Sequence, residues 1–341
     1  MKLLLVIDHL GMGGAQRQLV ELACGLARRG HQIEIFVYFP QYDFFRKRVE
    51  AQGIRVIACE KGGGFSTEVW RQLVRLRRGG GFDLVVSFLN SPNVYTELAK
   101  IAAPGIPLVV SERCTSHDDA TFAAPLARRL LHAVADHVVT NSETHARWLN
   151  LKPWLRGKAS CIYNGVDLES LRLGEVAAPV AQELRLLAVG RICPQKNLLN
   201  LIAALGLFHQ QRGFVPCLSW AGKQDDDVES VSYRKLIDGA LEKLPQVREQ
   251  WHWLGQQADM PGLFRTHDAL IHPSFYEGLP NAVCEALAAG KPVLVSNVCD
   301  HPLLVAEGKR GFLFDPADPT TIAAAMGKVA DLDAAGRLAF A

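Results

Sequence analysis

The 341-residue sequence has no CxxC pair, because its eight cysteines (Cys24, Cys59, Cys114, Cys161, Cys193, Cys217, Cys284 and Cys299) stand singly. That spacing excludes a zinc ribbon and a thioredoxin-like motif. Most of these thiols lie inside apolar runs, where cysteine acts as a small hydrophobe, and the pattern suits a reducing compartment. No apolar run approaches the roughly 18 residues of a membrane span. The apolar stretch after Met1-Lys2 breaks off at Asp8, short of the roughly 7–15 residues of a signal-peptide core. A soluble, cytoplasmic protein is expected. An excess of one charge is also missing: 37 Lys+Arg stand against 35 Asp+Glu, a net of +2. A nucleic-acid coat or an acidic tail needs far more imbalance. No acidic or histidine cluster has metal-ligand spacing, so no metal and no cofactor are expected, and Asp225-Asp226-Asp227 reads as a solvated loop.

The chain does contain many short apolar runs, each followed by a longer amphipathic one. The runs fall at residues 3–8, 33–39, 55–59, 84–89, 108–111, 137–141 and 160–163, then at 185–189, 217–220, 251–254, 269–272, 293–296 and 311–314. Four to seven aliphatic and β-branched residues with little polar alternation read as strands buried on both faces. Helical patterns at 15–29, 68–78, 197–212 and 281–289 lie between them. Such alternation predicts an α/β fold of parallel sheets covered on both sides. Residues 168–183, with Gly174 and Pro179, break the order. The expected organisation is two doubly wound, Rossmann-like domains at 1–168 and 184–341, joined by a linker at 169–183. Ligands bind such sheets at the carboxyl ends of the strands, so two facing domains would form a cleft.

Three segments at strand ends carry charge or glycine. The first is Gly11-Met12-Gly13-Gly14-Ala15-Gln16 after the first strand. Glycines there permit positive φ and backbone contact with an anion at a helix start, or simply make a tight turn. The third glycine of the dinucleotide fingerprint is absent, and no acidic residue ends the second strand, which disfavours a nicotinamide dehydrogenase. The second segment runs from Gly190-Arg191 to Lys196-Asn197. Arginine as a fork and lysine as a point charge suit a diphosphate, although a solvated loop carries the same residues. The third is His272-Pro273-Ser274-Phe275-Tyr276-Glu277-Gly278-Leu279-Pro280-Asn281, continuing to Glu285. Pro280 suits a helix start, and the backbone of Gly278, Leu279, Pro280 and Asn281, with N–H donors on all but the proline, marks an anion site there. Glu285, among apolar neighbours, suits hydroxyl hydrogen bonds. Alternatively, Glu277 pairs with a nearby cation and Glu285 caps local backbone.

Taken together, these residues resemble the retaining family 4 (group 1) glycosyltransferases, which have the two-domain GT-B fold. Glu277 and Glu285 match the E-x7-E motif of that family, Arg191 and Lys196 its Arg/Lys pair, and Gly13-Gly14-Ala15-Gln16 its glycine loop. Asn141-Ser142-Glu143 and Ile162-Tyr163-Asn164-Gly165-Val166-Asp167 are similar to further recurring segments, so the resemblance covers most of the chain. It implies a nucleotide-sugar donor, UDP-linked, bound by the second domain, and an acceptor in the first. Arg191 and Lys196 would hold the diphosphate, Glu285 the ribose, and Glu277 would lie near the donor sugar. Gly13 and Gly14 would approach the donor from the first domain. Gln16, Glu112, Arg113 and His117 are candidates for sugar or acceptor contact, with Arg113 in the place where relatives have a histidine.

The sequence departs from that pattern in two places. Where relatives carry paired glycines and then a glutamate, this chain has Cys299-Asp300 and Leu303. Relatives also continue into helices that cross back to the first domain, whereas here the sequence stops at Ala341, so that crossover is expected to be missing. Arg71, Arg75, Arg77 and Arg78 make a basic amphipathic helix. It is suited to an anionic membrane surface at about 1 kcal/mol per cation, or is an ordinary solvated face. Residues 1–169 hold 21 basic and 16 acidic side chains, a surplus in line with an acceptor domain peripheral to the inner face of a membrane. The expected partners are a nucleotide sugar and a saccharide or lipid-linked saccharide, not nucleic acid. A catalytically silent partner subunit and a sugar-nucleotide epimerase are the competing functions.

Overall fold

The computed structural model describes residues 1–113, 130–171 and 184–332. His117 therefore lies outside the described residues, as do residues 172–183 of the expected linker and the last nine residues of the chain. Two compact units divide the chain, Met1–Gly165 and Val166–Ala341. The first contains β1 (Lys2–Val6), β2 (Gln32–Val37), β3 (Arg55–Ala58), β4 (Leu84–Phe88), β5 (Leu108–Glu112), β6 (His137–Thr140) and β7 (Ala159–Cys161). The second contains β8 (Arg185–Val189), β9 (Cys217–Ala221), β10 (Trp251–Gly255), β11 (Ala269–His272), β12 (Val293–Ser296) and β13 (Gly311–Phe314). Each unit is an α/β body with one sheet, and every pairing is parallel.

The apolar runs form strands because helices cover both faces of each sheet. Along β1, Leu4 and Val6 enter one apolar cluster while Leu3, Leu5 and Ile7 enter the other. In β11, Ala269 and Ile271 face one cluster and Leu270 faces the opposite one. A strand buried on two faces has no polar side to display, which removes the usual alternation. The helices start on side-chain caps: Ser66 Oγ accepts from Val69 N, Ser142 Oγ from His145 N, and Asp227 from Ser230 N. Such a cap satisfies a backbone donor that has no partner within the helix.

Strand order places the ligand ends of the sheets. The first runs β3-β2-β1-β4-β5-β6-β7 and the second β10-β9-β8-β11-β12-β13. The order therefore reverses between β1 and β4 in one unit and between β8 and β11 in the other. At such a switch point the following loops part, and the carboxyl ends of the two strands leave a crevice. The loop after β8 holds Arg191 and Lys196, and the loop after β11 holds Glu277.

The basic helix Thr67–Gly79 uses its arginines differently from the sequence expectation. Arg77 is only 5% exposed. It donates from Nε to Ala103 O (2.9 Å) and from Nη2 to Ile106 O (2.5 Å). Arg78 donates to Ala102 O at 3.0 Å. Both guanidinium groups thus sit at the carbonyl-rich end of the helix Asn90–Ala102, where cations are favoured. Arg75 lies 3.7 Å from Glu68. These three arginines have partners within the fold.

Candidate active site

In the second unit, the loop after β8 is fastened to the loop after β11 by residues flanking the two charged positions. Gln195 donates its side-chain N–H to Tyr276 O (2.7 Å), and its backbone carbonyl accepts from Phe275 N (2.9 Å). Asn197 is buried with φ 57°, and its amide donates to Pro273 O (3.0 Å) and Pro316 O (2.7 Å). Asparagine tolerates this left-handed backbone better than most residues. Two glycines make the approach possible. A Cβ on Gly222 would lie 1.8 Å from Gly190 O, and one on Gly190 would meet Lys196 Cε at 2.9 Å. The Gly190 carbonyl also accepts from Trp220 Nε1 at 2.8 Å.

This scaffold brings Lys196 and Glu277 into direct contact. Lys196 Nζ donates to Glu277 Oε1 in a short ion pair, with both side chains nearly covered. His272 Nε2 reaches the same oxygen at 3.0 Å. Burial pushes the Glu277 carboxyl up, but the Lys196 ammonium and then the His272 hydrogen bond outweigh it and hold it well below the usual range. The alternative that Glu277 pairs with a cation therefore holds, and the cation is the one expected at a diphosphate. An incoming anion would compete with Glu277 for Lys196. Arg191 lies at the rim, 65% exposed, with Nη1 3.3 Å from Asp225, which also meets Lys223 at 3.4 Å. Such exposed pairs are worth at most about 1 kcal/mol, so Arg191 can exchange Asp225 for a ligand at little cost. Asp227 is spent on the cap of the helix Val228–Glu242. Among the described residues, no group of three or more His, Cys, Asp or Glu side chains is arranged to hold a metal ion.

Gly278, Leu279 and Pro280 are buried and lead into the helix Asn281–Ala288, with Pro280 at its N-cap. Glu285, 5% exposed, sits inside that helix. Burial, then the Glu285 charge, pushes the adjacent Cys284 thiol up to about 12. Cys299, where the family pattern has glycine, takes φ 49°. The backbone thus keeps the conformation glycine favours while carrying a side chain.

In the first unit the candidates separate. The glycine loop contains no left-handed glycine: Gly13 is extended at φ −169°, and neither Gly11 nor Gly14 has positive φ. Gly13 instead makes room for Gln16, whose Oε1 would lie 2.2 Å from a Cβ there. Gln16 is turned inward and donates to Asp8 Oδ1 at 3.1 Å. Glu112 is 3% exposed, with Oε1 held by His132 (2.7 Å) and Oε2 by His145. Both oxygens are engaged inside the fold, so the expected sugar contact has no free carboxylate there. Arg113 donates to Asn164 Oδ1 at 2.6 Å and lies over the Phe88 ring. Burial lowers its pKa to about 10, which leaves it charged at neutral pH.

His272, quoted above only as the start of a segment, His132 and Glu97 had no role expected from sequence. His272 closes β11 five residues before Glu277, and a histidine at a strand end beside a switch point was the available signal. Glu97 and His132, both fully buried, come together only in three dimensions.

Residues 12–170 match the Glycosyltransferase Family 4 description, and residues 183–331 match Glycosyl transferases group 1. This chain belongs to the family 4, group 1 glycosyltransferases. One similar relative is the Escherichia coli UDP-Gal:alpha-D-GlcNAc-diphosphoundecaprenol alpha-1,3-galactosyltransferase, 29% identical over 51% of this chain and 46% of that enzyme. The chain spans less than half the length of the first relatives it matches. A Streptomyces scabiei D-inositol 3-phosphate glycosyltransferase is 27% identical over 94% of this chain and 79% of its own length. Among solved structures, Anabaena HepE in complex with UDP-glucose superposes with TM-score 0.82 at 21% identity, covering 100% of this chain and 93% of HepE. A Thermosynechococcus elongatus sucrose-phosphate synthase gives 0.78 at 17% identity, covering 99% and 92%. The fold of this glycosyltransferase is thus GT-B.

Proposed function

We propose that this glycosyltransferase moves a sugar from a UDP-linked donor to a saccharide or lipid-linked saccharide acceptor, with retention at the anomeric carbon, in cell-envelope polysaccharide assembly. The observation that carries this reading is the Lys196–Glu277 pair, with Arg191 nearby in sequence, at the switch point between β8 and β11. The relative named for galactosyl transfer to a diphosphoundecaprenol-linked sugar supports the acceptor class.

In the proposed reaction the bond between the anomeric carbon and the diphosphate oxygen breaks, and negative charge develops on that oxygen. Lys196 leaves Glu277 for the phosphate and Arg191 leaves Asp225, each donor contributing about 3 kcal/mol to the transition state. The acceptor hydroxyl attacks the face the leaving group departs from, and its proton passes to the departing phosphate oxygen. The scheme assigns charge neutralisation to protein cations and calls for no metal or cofactor. Glu285 would receive the ribose hydroxyls. The first unit would hold the acceptor, on an anionic membrane surface where Arg71 and Arg75 remain exposed.

The test is transfer measured with a panel of nucleotide sugars for the wild type and for Arg191→Ala, Lys196→Ala and Glu277→Ala. A loss of about 100-fold or more in kcat is expected for each. Wild-type transfer by all three variants would sink the assignment. Nucleotide binding without transfer by the wild type would favour a silent partner subunit.

A further inference from the structure

The Lys196–Glu277 pair poses a problem for any reaction in which Lys196 turns to a phosphate: Glu277 then loses its cation. The structure shows what remains. His272 is the last residue of β11 and 2% exposed. Its Nε2 lies 3.0 Å from Glu277 Oε1 and 3.2 Å from Ser274 Oγ. An ionised carboxylate only accepts hydrogen bonds, so the proton between them is on the imidazole. Burial, reinforced by the Lys196 charge, lowers the pKa of His272, so the ring is neutral at pH 7 and is fixed as the Nε2–H tautomer.

A second imidazole holds the first. His301 is fully buried and meets the His272 ring edge-on, with centroids 5.9 Å apart. Its Nδ1–H donates to Ser296 O at 2.7 Å, which orients the ring. Burial, followed by the nearby His272, brings its pKa down to about 4, so it adds no charge behind Glu277. Among the described residues, both hydrogen bonds to the Glu277 carboxylate fall on Oε1, and Oε2 has none.

We propose that His272 is a positioning residue of the transfer reaction: it anchors Glu277 Oε1 when Lys196 moves to the diphosphate and so aims Oε2 at a hydroxyl of the donor sugar. The inference rests on the reading of Glu277 as a donor-site carboxylate. It divides the carboxylate into an anchored oxygen and a working oxygen, and it assigns the anchor to a residue that need not touch substrate.

The experiment compares the full wild-type chain with His272→Phe, His272→Gln and His272→Asn. Phenylalanine keeps a ring but has no donor. Glutamine carries an N–H at about the reach of Nε2, and asparagine falls short of it. With the nucleotide sugar that the wild type uses, His272→Phe and His272→Asn should lower kcat by about 10- to 100-fold, as expected when a reacting group is slightly misplaced. Their KM for the donor and their Kd for UDP should stay within about 3-fold of wild type, because the diphosphate cations are intact. His272→Gln should recover most of the turnover.

The acid limb of the kcat profile is a second readout. Glu277 is faced by Lys196 and His272, with His301 behind the latter and Cys299 beside the Glu277 backbone. Losing the Nε2–H should move that limb to higher pH in the phenylalanine variant, and glutamine should restore it. Wild-type turnover with an unmoved limb in His272→Phe would overturn the inference. If the phenylalanine variant does not fold, equal impairment of the glutamine and asparagine variants overturns it. Absence of transfer by the wild type with every nucleotide sugar removes the functional reading and the inference together. An active wild type with indifferent variants removes the inference alone.

Discussion

Replacing His132 by glutamine should convert the first unit into a less stable body whose stability no longer falls between pH 6.5 and 9. His132 is fully buried between two carboxylates, with Nδ1 on Glu97 and Nε2 on Glu112 at 2.7 Å. Each nitrogen faces an acceptor, so the ring is doubly protonated. Burial alone would lower its pKa, but the hydrogen bonds to Glu112 and Glu97 raise it to about 9. The folded value exceeds the unfolded one near 6.5, so the contribution is complete below pH 6.5 and is lost as pH rises through 9. A shift of that size corresponds to about 3 kcal/mol. Glutamine keeps a donor but removes the cation between two buried carboxylates, a break that costs about 3–5 kcal/mol. For a body of this size that is about 10 °C in Tm. Thermal melts at pH 6, 7.5 and 9 measure both effects, and hydrogen exchange at β5 and β6 assigns them to this unit. A variant that melts with the wild type at pH 6, or that keeps the wild-type fall towards pH 9, would refute the imidazolium.

Gly222→Ala should push the Gly190 carbonyl from its place, since the added carbon would start 1.8 Å from that oxygen. The expected result is a loss of about 1–3 kcal/mol in chemical denaturation and weaker UDP binding by calorimetry. Arg77→Met should destabilise the first unit by about 2 kcal/mol or more, because the carbonyls of Ala103 and Ile106 lose a charged donor. Denaturant melts check it, and an unchanged midpoint would count against the buried guanidinium.

The strands were legible because each is short, aliphatic and covered on both faces. All thirteen apolar runs named from the sequence correspond to strands, and the helix at Leu198–Arg212 begins within one residue of its expected start. The E-x7-E spacing was equally local, since Glu277 and Glu285 share one loop and one helix. What stayed hidden depends on partners distant in the chain. Glu112 looked like a ligand contact at a strand end because His132 and His145, 20 and 33 residues on, are invisible to local pattern. Arg77 and Arg78 looked like a cationic surface because the carbonyls they bind lie 24–29 residues away, at the end of a neighbouring helix and in the loop that follows it. Gly13 was read for its φ, yet the structure uses its small size.

The two buried carboxylate–histidine clusters show why similar residue types have different consequences in the two units. Glu112 gives one oxygen to His132 and the other to His145, and His132 carries a full charge shared with Glu97. Both Glu112 oxygens are taken inside the fold, so that carboxylate has none left for a substrate, and the free energy of the network goes into the fold. Glu277 has the same chemistry with one member exchanged. Lysine supplies the cation on a flexible stem, and the histidine beside it is neutral. A flexible ammonium can leave for a phosphate, whereas an imidazolium pinned at both nitrogens cannot. Among the described residues both hydrogen bonds fall on a single oxygen, so the other stays available. Mobility of the cation and vacancy of one oxygen, rather than burial or charge, therefore separate the carboxylate proposed to act in group transfer from the one whose oxygens are both taken within the fold.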